Sequence, residues 1–575
     1  MSVCVPFGWM WLNPTDLKDF GQSLLAVATF SSNMLFWWES GYFGTAQELM
    51  PLLHTWSLAV EEQYYIVFPL FLLLTWRLGV KWILILLSIV FILSLVISEW
   101  GALHKPMAAF YFLPSRVWEL LIGVFVGVYL QYKPRPKANS ISQILGMLGL
   151  GLILYSIFIF DEYTLFPGFH ALFPTIGTAL VILFAVPKTV IHSLLSIKLA
   201  VGIGLISYSA YLWHQPMLAF ARHRLLGEVP SYFLLTLCVA SFLIAWLTWY
   251  FVEKPFRDKK LISRRFVFVF SLLGIMFFSS LGLMLHHKEG YKYRAKFSDE
   301  LSNSFSRPSL GECFDTPFNH SAENWGCYLG EKKSKVDFVL FGDSHALSLR
   351  ILVDDLARKR GISVFFTGSS GCVPFMGVYP DREDIYENNC NLLNQRVYEF
   401  AKRNEAKGLI LSARWSYYTL GDYSLSGGQL ISDKPDGPFS LGHSIDTFSK
   451  AFNITVDKYA LSGIPIHLIT QNPHQKYVPE SAYFSVSKGY GSLDSLSIAR
   501  SQFENLNAIP VAVFNERRDD IDLARITDVF CGDDKCLIGD QNKSYYYDDD
   551  HLSSYGALKL TEIIDSFFVI AKDGQ

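Results

Sequence analysis

Long apolar runs separated by short polar stretches fill residues 1–290 of this chain. A helix that crosses a bilayer needs about 20 mostly apolar residues. After an apolar stub over 1–12, runs of this kind predict spans at 19–37, 57–75, 82–98, 110–130, 144–160, 170–187, 199–219, 231–252 and 265–286. The first half of the chain is therefore predicted to be a polytopic α-helical membrane bundle.

Beyond residue 290 the pattern changes to short apolar, β-branched runs that alternate with amphipathic stretches. Buried strands are predicted at 336–341, 363–367, 408–412, 464–470 and 510–514, and helices at 346–360, 391–404 and 444–461. Strands that alternate with helices build a parallel sheet covered on both faces. The second half is thus predicted to be an α/β three-layer domain, with its ligand site beyond the carboxyl ends of the strands.

Composition agrees with this division into two halves. Apolar residues make up 51% of the 575 residues and charged residues only 18%, against about 25% charge in soluble domains. The formal net charge of −3 gives no indication of a nucleic-acid partner. We predict a membrane domain over 1–260, an additional span and linker over 261–290, and a soluble domain over 291–575.

The short loops between the predicted spans alternate in charge. One set is basic and contains Arg77 and Lys81; Lys133, Arg135 and Lys137; Lys188 and Lys198; and Lys254, Arg257, Lys259, Lys260, Arg264 and Arg265. The alternate loops, at 39–48, 99–105, 161–162 and 221–228, are acidic or mixed. Because basic loops stay in the cytoplasm, the last span exits outward, and the soluble domain is expected outside the cytoplasm.

The cysteines point to the same compartment. Six of the eight lie beyond residue 300, and we expect them to pair with their nearest neighbours, as Cys313–Cys327, Cys372–Cys390 and Cys531–Cys536. Disulfides persist in oxidising compartments, although six free thiols remain the alternative. The CxxC spacing of zinc sites is absent from the sequence, and no metal is expected. No tightly bound cofactor is expected either.

Polar residues that interrupt the apolar runs mark candidate chemistry in the membrane half. The candidates are His54 and Glu61, Arg116 and Glu119, and Tyr208 and His214. Arg116 and Glu119 are three residues apart and can pair on one helix face. Ionisable residues inside spans are usually functional, but Trp and Tyr neighbours also suit interfacial anchors. A proton path in a transporter is a further alternative.

In the soluble half, a Gly-Asp-Ser-His sequence places Ser344 at the end of the first predicted strand and at a helix start. Such a serine suits nucleophilic catalysis, because helix-start N–H groups can stabilise an oxyanion. His551 is the candidate base, and Asp548, three residues earlier, can orient it. The structural alternatives are a helix N-cap at Ser344 and a solvated surface histidine at His551.

Four stretches of the membrane half resemble the acyltransferase-3 family of integral membrane proteins. They are 54–65 (HTWSLAVEEQYY), 113–123 (LPSRVWELLIG), 206–216 (ISYSAYLWHQP) and 252–257 (VEKPFR). Members of that family normally begin with one or two further spans that carry an arginine and a catalytic histidine. No stretch here matches those spans, so we expect this chain to be an N-terminally shortened version.

The soluble half resembles the SGNH hydrolase-like domain that is often fused to this family. Ser344, Asp548 and His551 match its first and last blocks, and Gly368 or Gly371 is the candidate for its oxyanion glycine. Its Gly-x-Asn-Asp block is missing, and Ala413-Arg414-Trp415 occupies the corresponding place.

Together the halves resemble O-antigen acetyltransferases. The resemblance implies a multi-pass protein of the bacterial inner membrane with a periplasmic C-terminal domain. It implies acetyl-CoA as the donor substrate and a lipid-linked or membrane-anchored polysaccharide, such as lipopolysaccharide O-antigen, as the acceptor. The alternatives are a periplasmic carbohydrate esterase, a peptidoglycan O-acetyltransferase, and a transporter with a binding domain.

Overall fold

A computed structural model describes residues 1–39, 47–161, 164–226, 229–258, 260–307, 313–316, 325–381, 390–423, 425 and 428–570. Parts of the loops that we expect on the outer side, 40–46, 162 and 227–228, lie outside these residues. The chain divides into two compact units, Met1–Arg294 and Ala295–Gln575.

The described regular secondary structure of the first unit is entirely helical. Its helices are α1 (Cys4–Trp11), α2 (Pro14–Ala28), α3 (Ser32–Glu39), α4 (Thr55–Thr75), α5 (Val80–His104), α6 (Pro106–Tyr111), α7 (Leu113–Tyr132), α8 (Ser140–Ile159), α9 (Leu172–Phe184), α10 (Val190–Leu195), α11 (Lys198–Leu225), α12 (Ser231–Thr248), α13 (Lys254–Arg257) and α14 (Arg264–His287).

Six segments of the described residues are long and apolar enough to cross a bilayer. They are Thr55–Leu78, Val80–His104, Pro106–Tyr132, Ser140–Ile159, Ser231–Arg257 and Arg264–His287. The predicted multi-pass membrane unit is therefore confirmed. Its helices pack closely where side chains are small: a Cβ on Gly149 would lie 2.7 Å from the Gly177 carbonyl oxygen of the neighbouring helix α9, an approach that only glycine permits.

The predicted span at 19–37 is wrong as a single helix. Helix α2 ends at Ala28, and α3 begins at Ser32. At this break the Thr29 hydroxyl donates 2.9 Å to the Leu25 carbonyl oxygen, and the Phe30 backbone takes a left-handed φ of 56°. The run at 170–187 forms only the 13-residue helix α9, which is too short to span alone.

The second unit is an α/β domain. Its strands are β1 (Cys327–Gly330), β2 (Phe338–Gly342), β3 (Ser363–Gly368), β4 (Tyr379–Pro380), β5 (Gly408–Ser412), β6 (Ile431–Ser432), β7 (Ile466–Ile469), β8 (Ile498–Ala499), β9 (Asp522–Ala524) and β10 (Lys535–Cys536). Its helices are α15 (Asp299–Ser304), α16 (Ser344–Arg360), α17 (Cys390–Asn404), α18 (Leu441–Leu461), α19 (Pro479–Ser487), α20 (Leu493–Leu496), α21 (Arg500–Leu506), α22 (Ala508–Glu516), α23 (Thr527–Phe530), α24 (Ser554–Leu558) and α25 (Thr561–Ile570).

The main sheet has the order β1-β3-β2-β5-β7-β9. Strand β1 runs antiparallel to β3, and the other pairings are parallel. Every residue of β2, β3, β5 and β7 is buried, because hydrophobic clusters cover both faces of the sheet. The predicted three-layer fold is confirmed, with an unpredicted antiparallel strand at one edge.

One predicted strand is wrong. Residues 510–514 lie inside helix α22, where Pro510, Val513 and Phe514 are buried. Their spacing of three and four residues places them on one helix face. The last strand of the sheet is instead β9, a three-residue edge strand.

The strand order fixes where a ligand site can form. From β2 the chain crosses to β3 on one side and later to β5 on the other. Helices that leave in opposite directions open a crevice beyond the carboxyl end of such a strand. The residue that follows β2 is Asp343, and helix α16 begins with Ser344.

Candidate functional site

Ser344 is held at the start of α16 by the residue before it. Asp343 caps the helix, and its Oδ1 accepts a hydrogen bond of 2.9 Å from the His345 N–H. Asp343, and not Ser344, is thus the N-cap. As the first helical residue, Ser344 has an N–H with no acceptor within the helix. Its hydroxyl is left for another partner.

The second oxygen of Asp343 ties this turn to the neighbouring strand. Asp343 Oδ2 accepts from the Arg414 N–H at 3.0 Å and from the Tyr418 hydroxyl at 2.8 Å. Arg414 follows the end of β5, so one buried carboxylate joins the carboxyl ends of β2 and β5. Asp343 is only 2% exposed. This geometry fixes the position from which Ser344 projects.

The structure brings Ser344, His551 and Asp548 together. Ser344 Oγ lies 2.7 Å from His551 Nε2. On the other side of the imidazole ring, His551 Nδ1 lies 2.8 Å from Asp548 Oδ2. Ser344 and His551 are both buried. A serine, an imidazole and a carboxylate in this order form the arrangement that activates a serine nucleophile.

The loop that carries His551 is tightly organised. Asp548 Oδ1 also accepts 2.7 Å from the His551 N–H, so the three-residue spacing closes a turn. The Tyr547 ring stacks on the His551 ring with centroids 5.4 Å apart. Both contacts fix the orientation of the imidazole.

His551 is also held in a strongly negative environment. Burial lowers the pKa of His551, but the carboxylates of Asp550 and Asp548 outweigh it, so the pKa is raised well above its usual value. The neutral form of this imidazole is a strong base for the serine proton, and the raised pKa means that this form is populated at higher pH than for an ordinary histidine.

The candidate oxyanion glycines lie beside the nucleophile turn. Gly368 ends β3 and pairs in register with Gly342. A Cβ on Gly368 would lie 2.2 Å from the Gly342 carbonyl oxygen, so only glycine fits there. Gly371 follows in the next turn with a φ of +66°.

The loop that contains these glycines is braced at two points. Asp315 accepts hydrogen bonds from the hydroxyl and N–H of Ser370 at 2.8 and 2.7 Å, and from the Ser369 hydroxyl at 2.8 Å. The three nearest-neighbour cysteine pairs form disulfides, Cys313–Cys327, Cys372–Cys390 and Cys531–Cys536. The first begins two residues before Asp315, and the second begins one residue after Gly371.

Sequence reasoning missed three residues of this site. Asp550 Oδ1 lies 2.7 Å from His551 Nδ1, Arg414 Nη1 lies 2.8 Å from Asp550 Oδ2, and the His345 and His551 ring centroids are 4.9 Å apart. Only proximity in sequence hinted at them: Asp550 precedes His551, and His345 follows Ser344. Arg414 was visible only as part of Ala413-Arg414-Trp415, the stretch that stands in place of the expected Gly-x-Asn-Asp block.

His345, Asp550 and His551 also bring their ligand atoms within 4.8 Å of one another, which is close enough for a metal ion. However, Asp550 already faces the Arg414 guanidinium at 2.8 Å. Its other oxygen lies 2.7 Å from His551 Nδ1, so both oxygens of this carboxylate are already engaged by protein groups. The geometry therefore favours a protein-only charge cluster.

The four motif stretches of the membrane unit contact one another. The Ser57 and Tyr211 hydroxyls lie 2.6 Å apart, and Tyr211 also donates to the His54 carbonyl oxygen. The Ser209 hydroxyl donates 2.8 Å to Glu253. The His54 and His214 ring centroids are 5.4 Å apart.

Arg116 joins the remaining stretch to this set. Its guanidinium lies 5.2 Å from the Trp56 ring centroid and forms the predicted ion pair with Glu119 at 3.0 Å. Tyr208, by contrast, is 48% exposed, and Glu61 is half-buried. Of the predicted membrane candidates, four contact neighbouring side chains or rings of other candidates or motif residues: His54, Arg116, Glu119 and His214.

Comparison with known proteins matches both units to families. Residues 2–250 match an acyltransferase domain, and residues 312–566 match the SGNH domain that is fused to AT3 domains. The peptidoglycan O-acetyltransferase OatA of Listeria monocytogenes serovar 1/2a is 29% identical over 284 residues, which cover 46% of this chain and 44% of that protein. The O-acetyltransferase OatA of Staphylococcus aureus is 29% identical over 277 residues, 45% of each chain. The chain thus spans less than half the length of these two relatives.

Two further matches cover more of the other protein. An uncharacterized protein of Haemophilus influenzae is 34% identical over 177 residues, which cover 29% of this chain and 72% of that protein. The lipopolysaccharide acetyltransferase periplasmic domain of Salmonella ser. Paratyphi A aligns with a TM-score of 0.34 and 17% identity over 45% of this chain and 92% of that domain.

Proposed function

This chain belongs to the family in which an acyltransferase domain is fused to an SGNH domain, and we propose that it is an O-acetyltransferase of cell-envelope polysaccharide. The acetyl donor is acetyl-CoA on the cytoplasmic side, and the acceptor is a sugar hydroxyl of a membrane-anchored glycan such as lipopolysaccharide O-antigen. Both OatA relatives are named as O-acetyltransferases, which supports the reaction class.

The observation that carries the proposal is the hydrogen-bonded series from Ser344 through His551 to Asp548. Its two links, of 2.7 and 2.8 Å, are within reach for proton transfer. A buried serine with a base at its hydroxyl is equipped for nucleophilic acyl chemistry.

In the first step, Ser344 Oγ attacks the carbonyl carbon of the incoming acetyl group, and its proton passes to His551 Nε2. The bond from that carbon to the donor's leaving group then breaks, and the leaving group takes the proton from His551. The product is an acetyl ester on Ser344. The Asp548 carboxylate stabilises the imidazolium that forms in between.

In the second step, a sugar hydroxyl replaces the leaving group. His551 takes its proton, the sugar oxygen attacks the ester carbonyl, and the bond from carbon to Ser344 Oγ breaks as the serine regains its proton. The negative oxygen of each intermediate needs N–H donors. The Ser344 N–H and the loop from Gly368 to Gly371 are the candidates. Water in place of the sugar would make the same site an esterase, so exclusion of water decides the outcome.

The membrane unit would deliver the acetyl group. Among the described residues, His54 Nδ1 and Arg116 Nη2 are buried atoms without a hydrogen-bond partner. Unpaired buried polar atoms are costly, and they suit a polar substrate group that enters the helix bundle. Arg116, with Glu119 beside it, is a candidate contact for the negatively charged donor.

The soluble unit is proposed to lie in the periplasm. Three disulfides in that unit support an oxidising compartment. The basic loops between the spans favour the same orientation.

The test compares Ser344→Ala with wild type in a strain from which the gene has been deleted. We expect ester-linked acetyl on the envelope glycan to be lost in Ser344→Ala and in His551→Ala. Ser566→Ala, an exposed serine of the same unit, is the matched control and should restore acetylation. Lipopolysaccharide and peptidoglycan are analysed separately to identify the acceptor. Full acetylation in the Ser344→Ala strain would refute the proposal.

A further inference from the structure

The catalytic histidine has two carboxylates at the same ring nitrogen. His551 Nδ1 lies 2.8 Å from Asp548 Oδ2 and 2.7 Å from Asp550 Oδ1. A serine triad needs only one acid at this place. The carboxylate of Asp550 is not part of the predicted Asp548–His551 pair, yet it is as close to His551 Nδ1 as Asp548 is.

The two carboxylates have different surroundings. The Asp550 side chain is 4% exposed and the Asp548 side chain 27%. Burial would raise the pKa of Asp550, but His551 and Arg414 outweigh it and hold that pKa well below its usual value. Burial raises the pKa of Asp548 despite the nearby His551. Asp550 is therefore the more securely ionised of the two.

Arg414 and His345 hold Asp550 in place from two other elements. Arg414 Nη1 lies 2.8 Å from Asp550 Oδ2, and His345 Nε2 lies 3.4 Å from the same oxygen. The arginine follows β5, and the histidine belongs to α16. The Asp550 carboxylate thus faces side chains from three segments: Arg414 after β5, His345 of α16, and His551 of its own loop. Together they fix its position.

Asn472 fixes the orientation of His345. The Asn472 side-chain nitrogen donates 2.6 Å to the Asp550 carbonyl oxygen, so the amide oxygen of Asn472 faces His345 Nδ1 at 3.1 Å. His345 Nδ1 is then the donor in that bond. The ring is held with Nε2 toward Asp550, so it donates to that carboxylate when both ring nitrogens carry a proton.

We propose that Asp550 is a second positioning residue for His551, which shares with Asp548 the holding of the Nδ1–H and the stabilisation of the imidazolium. Arg414 and His345 act through Asp550 by fixing its carboxylate. The inference rests on the proposed acyl chemistry at Ser344. It differs from a simple triad because each acid alone still holds the imidazole, although less firmly than the two acids together.

The groups that face His551 set the terms of a pH test. They are Ser344 and His345 from α16, Arg414 from the end of β5, and Asp548, Asp550 and Tyr547 from its own loop, with Arg307 near Tyr547. Removal of one carboxylate leaves the cationic side chains of Arg414 and Arg307 in place. The pKa of His551 should then fall, and the acid limb of the rate profile should move to lower pH.

The experiment measures hydrolysis of a chromogenic acetyl ester by the full chain in detergent, as kcat/KM against pH. Variants are Asp548→Asn, Asp550→Asn and the double variant, with Asp549→Asn as matched control because that neighbour bonds to His474 instead. Loss of the only acid of a triad costs about 10⁴-fold. With shared holding, each single variant should lose about 100-fold, and only the double variant should lose the full amount. Asp550→Asn should also lower the pH of the acid limb, and Asp549→Asn should not.

Two results would overturn the inference alone. One is a kcat/KM of Asp548→Asn as low as that of the double variant. That comparison does not depend on how well the single variant Asp550→Asn folds. The other is an Asp550→Asn variant with an unmoved acid limb, which indicates a merely structural carboxylate. Hydrolysis that persists in Ser344→Ala would instead overturn the proposed function and the inference with it.

Discussion

Asp343 offers the sharpest test of how the fold positions the nucleophile. Its Oδ1 caps α16, a contact whose loss to alanine costs about 1 kcal/mol. Its Oδ2 accepts from the Arg414 N–H and the Tyr418 hydroxyl. Each hydrogen bond to a charged group contributes about 1.5–3 kcal/mol. Asp343→Ala should therefore cost the soluble unit about 4–7 kcal/mol, a large share of a typical total of about 5–15 kcal/mol.

Asp343→Asn separates the two oxygens. The amide oxygen still caps the helix, but the amide nitrogen cannot accept from two donors, so the expected cost is about 3–6 kcal/mol. Pulse proteolysis in urea, on native membranes and with detection of the C-terminal unit, measures the unfolding midpoint. With a urea dependence on the order of 3 kcal/mol/M, the midpoint should fall by about 1–2 M.

The control for this measurement is Asp533→Asn, an exposed carboxylate of the same unit, which should leave the midpoint unchanged. An Asp343→Asn midpoint equal to that of wild type would refute the reasoning, because the carboxylate would then not join β2 to β5.

Three further outcomes are expected. Gly368→Ala should lower the urea midpoint and abolish labelling of Ser344 by a fluorophosphonate, because the added Cβ would lie 2.2 Å from the Gly342 carbonyl oxygen. Gly442→Ala is the control and should change neither, because a Cβ there has open space. Replacing Cys372 and Cys390 by alanine opens an 18-residue loop and should lower the free energy of unfolding by about 3 kcal/mol in the same proteolysis assay. Replacing Cys531 and Cys536 opens a 5-residue loop and should lower it by about 2 kcal/mol. Because the pKa of His551 is raised, the acid limb of ester hydrolysis should lie above pH 6.5, the ordinary value for histidine; a limb below that pH would contradict the charge environment of the site.

Local pattern predicted the centre of the soluble fold well. Strand β5 has the predicted bounds and β3 is one residue longer, because their apolar, β-branched runs are buried on both faces. The 510–514 run was misassigned because a short apolar run has the same appearance in a buried helix and in a buried strand. Strand β9 carries too few apolar residues to be recognised before its neighbours are known.

The candidate site was predicted in part, for similar reasons. Asp548 stood out because a three-residue spacing lets a carboxylate reach His551 within one turn. Asp550 carries the same functional group two residues further on, and local sequence cannot tell which of them turns inward. That choice depends on Arg414 and His345, which the sheet topology brings next to Asp550. Arg414 lies 71 residues beyond Asp343 in the sequence, and His345 lies 205 residues before Asp550.

Inside-out membrane vesicles that contain the full chain test most directly whether the reaction is split between the two units. The vesicles are supplied with acetyl-CoA that carries an isotopic label in its acetyl group. The account predicts that label appears as an ester on Ser344 and on glycan inside the vesicles, and that both signals disappear in Ser344→Ala. Labelled glycan at the wild-type level in Ser344→Ala vesicles would contradict it.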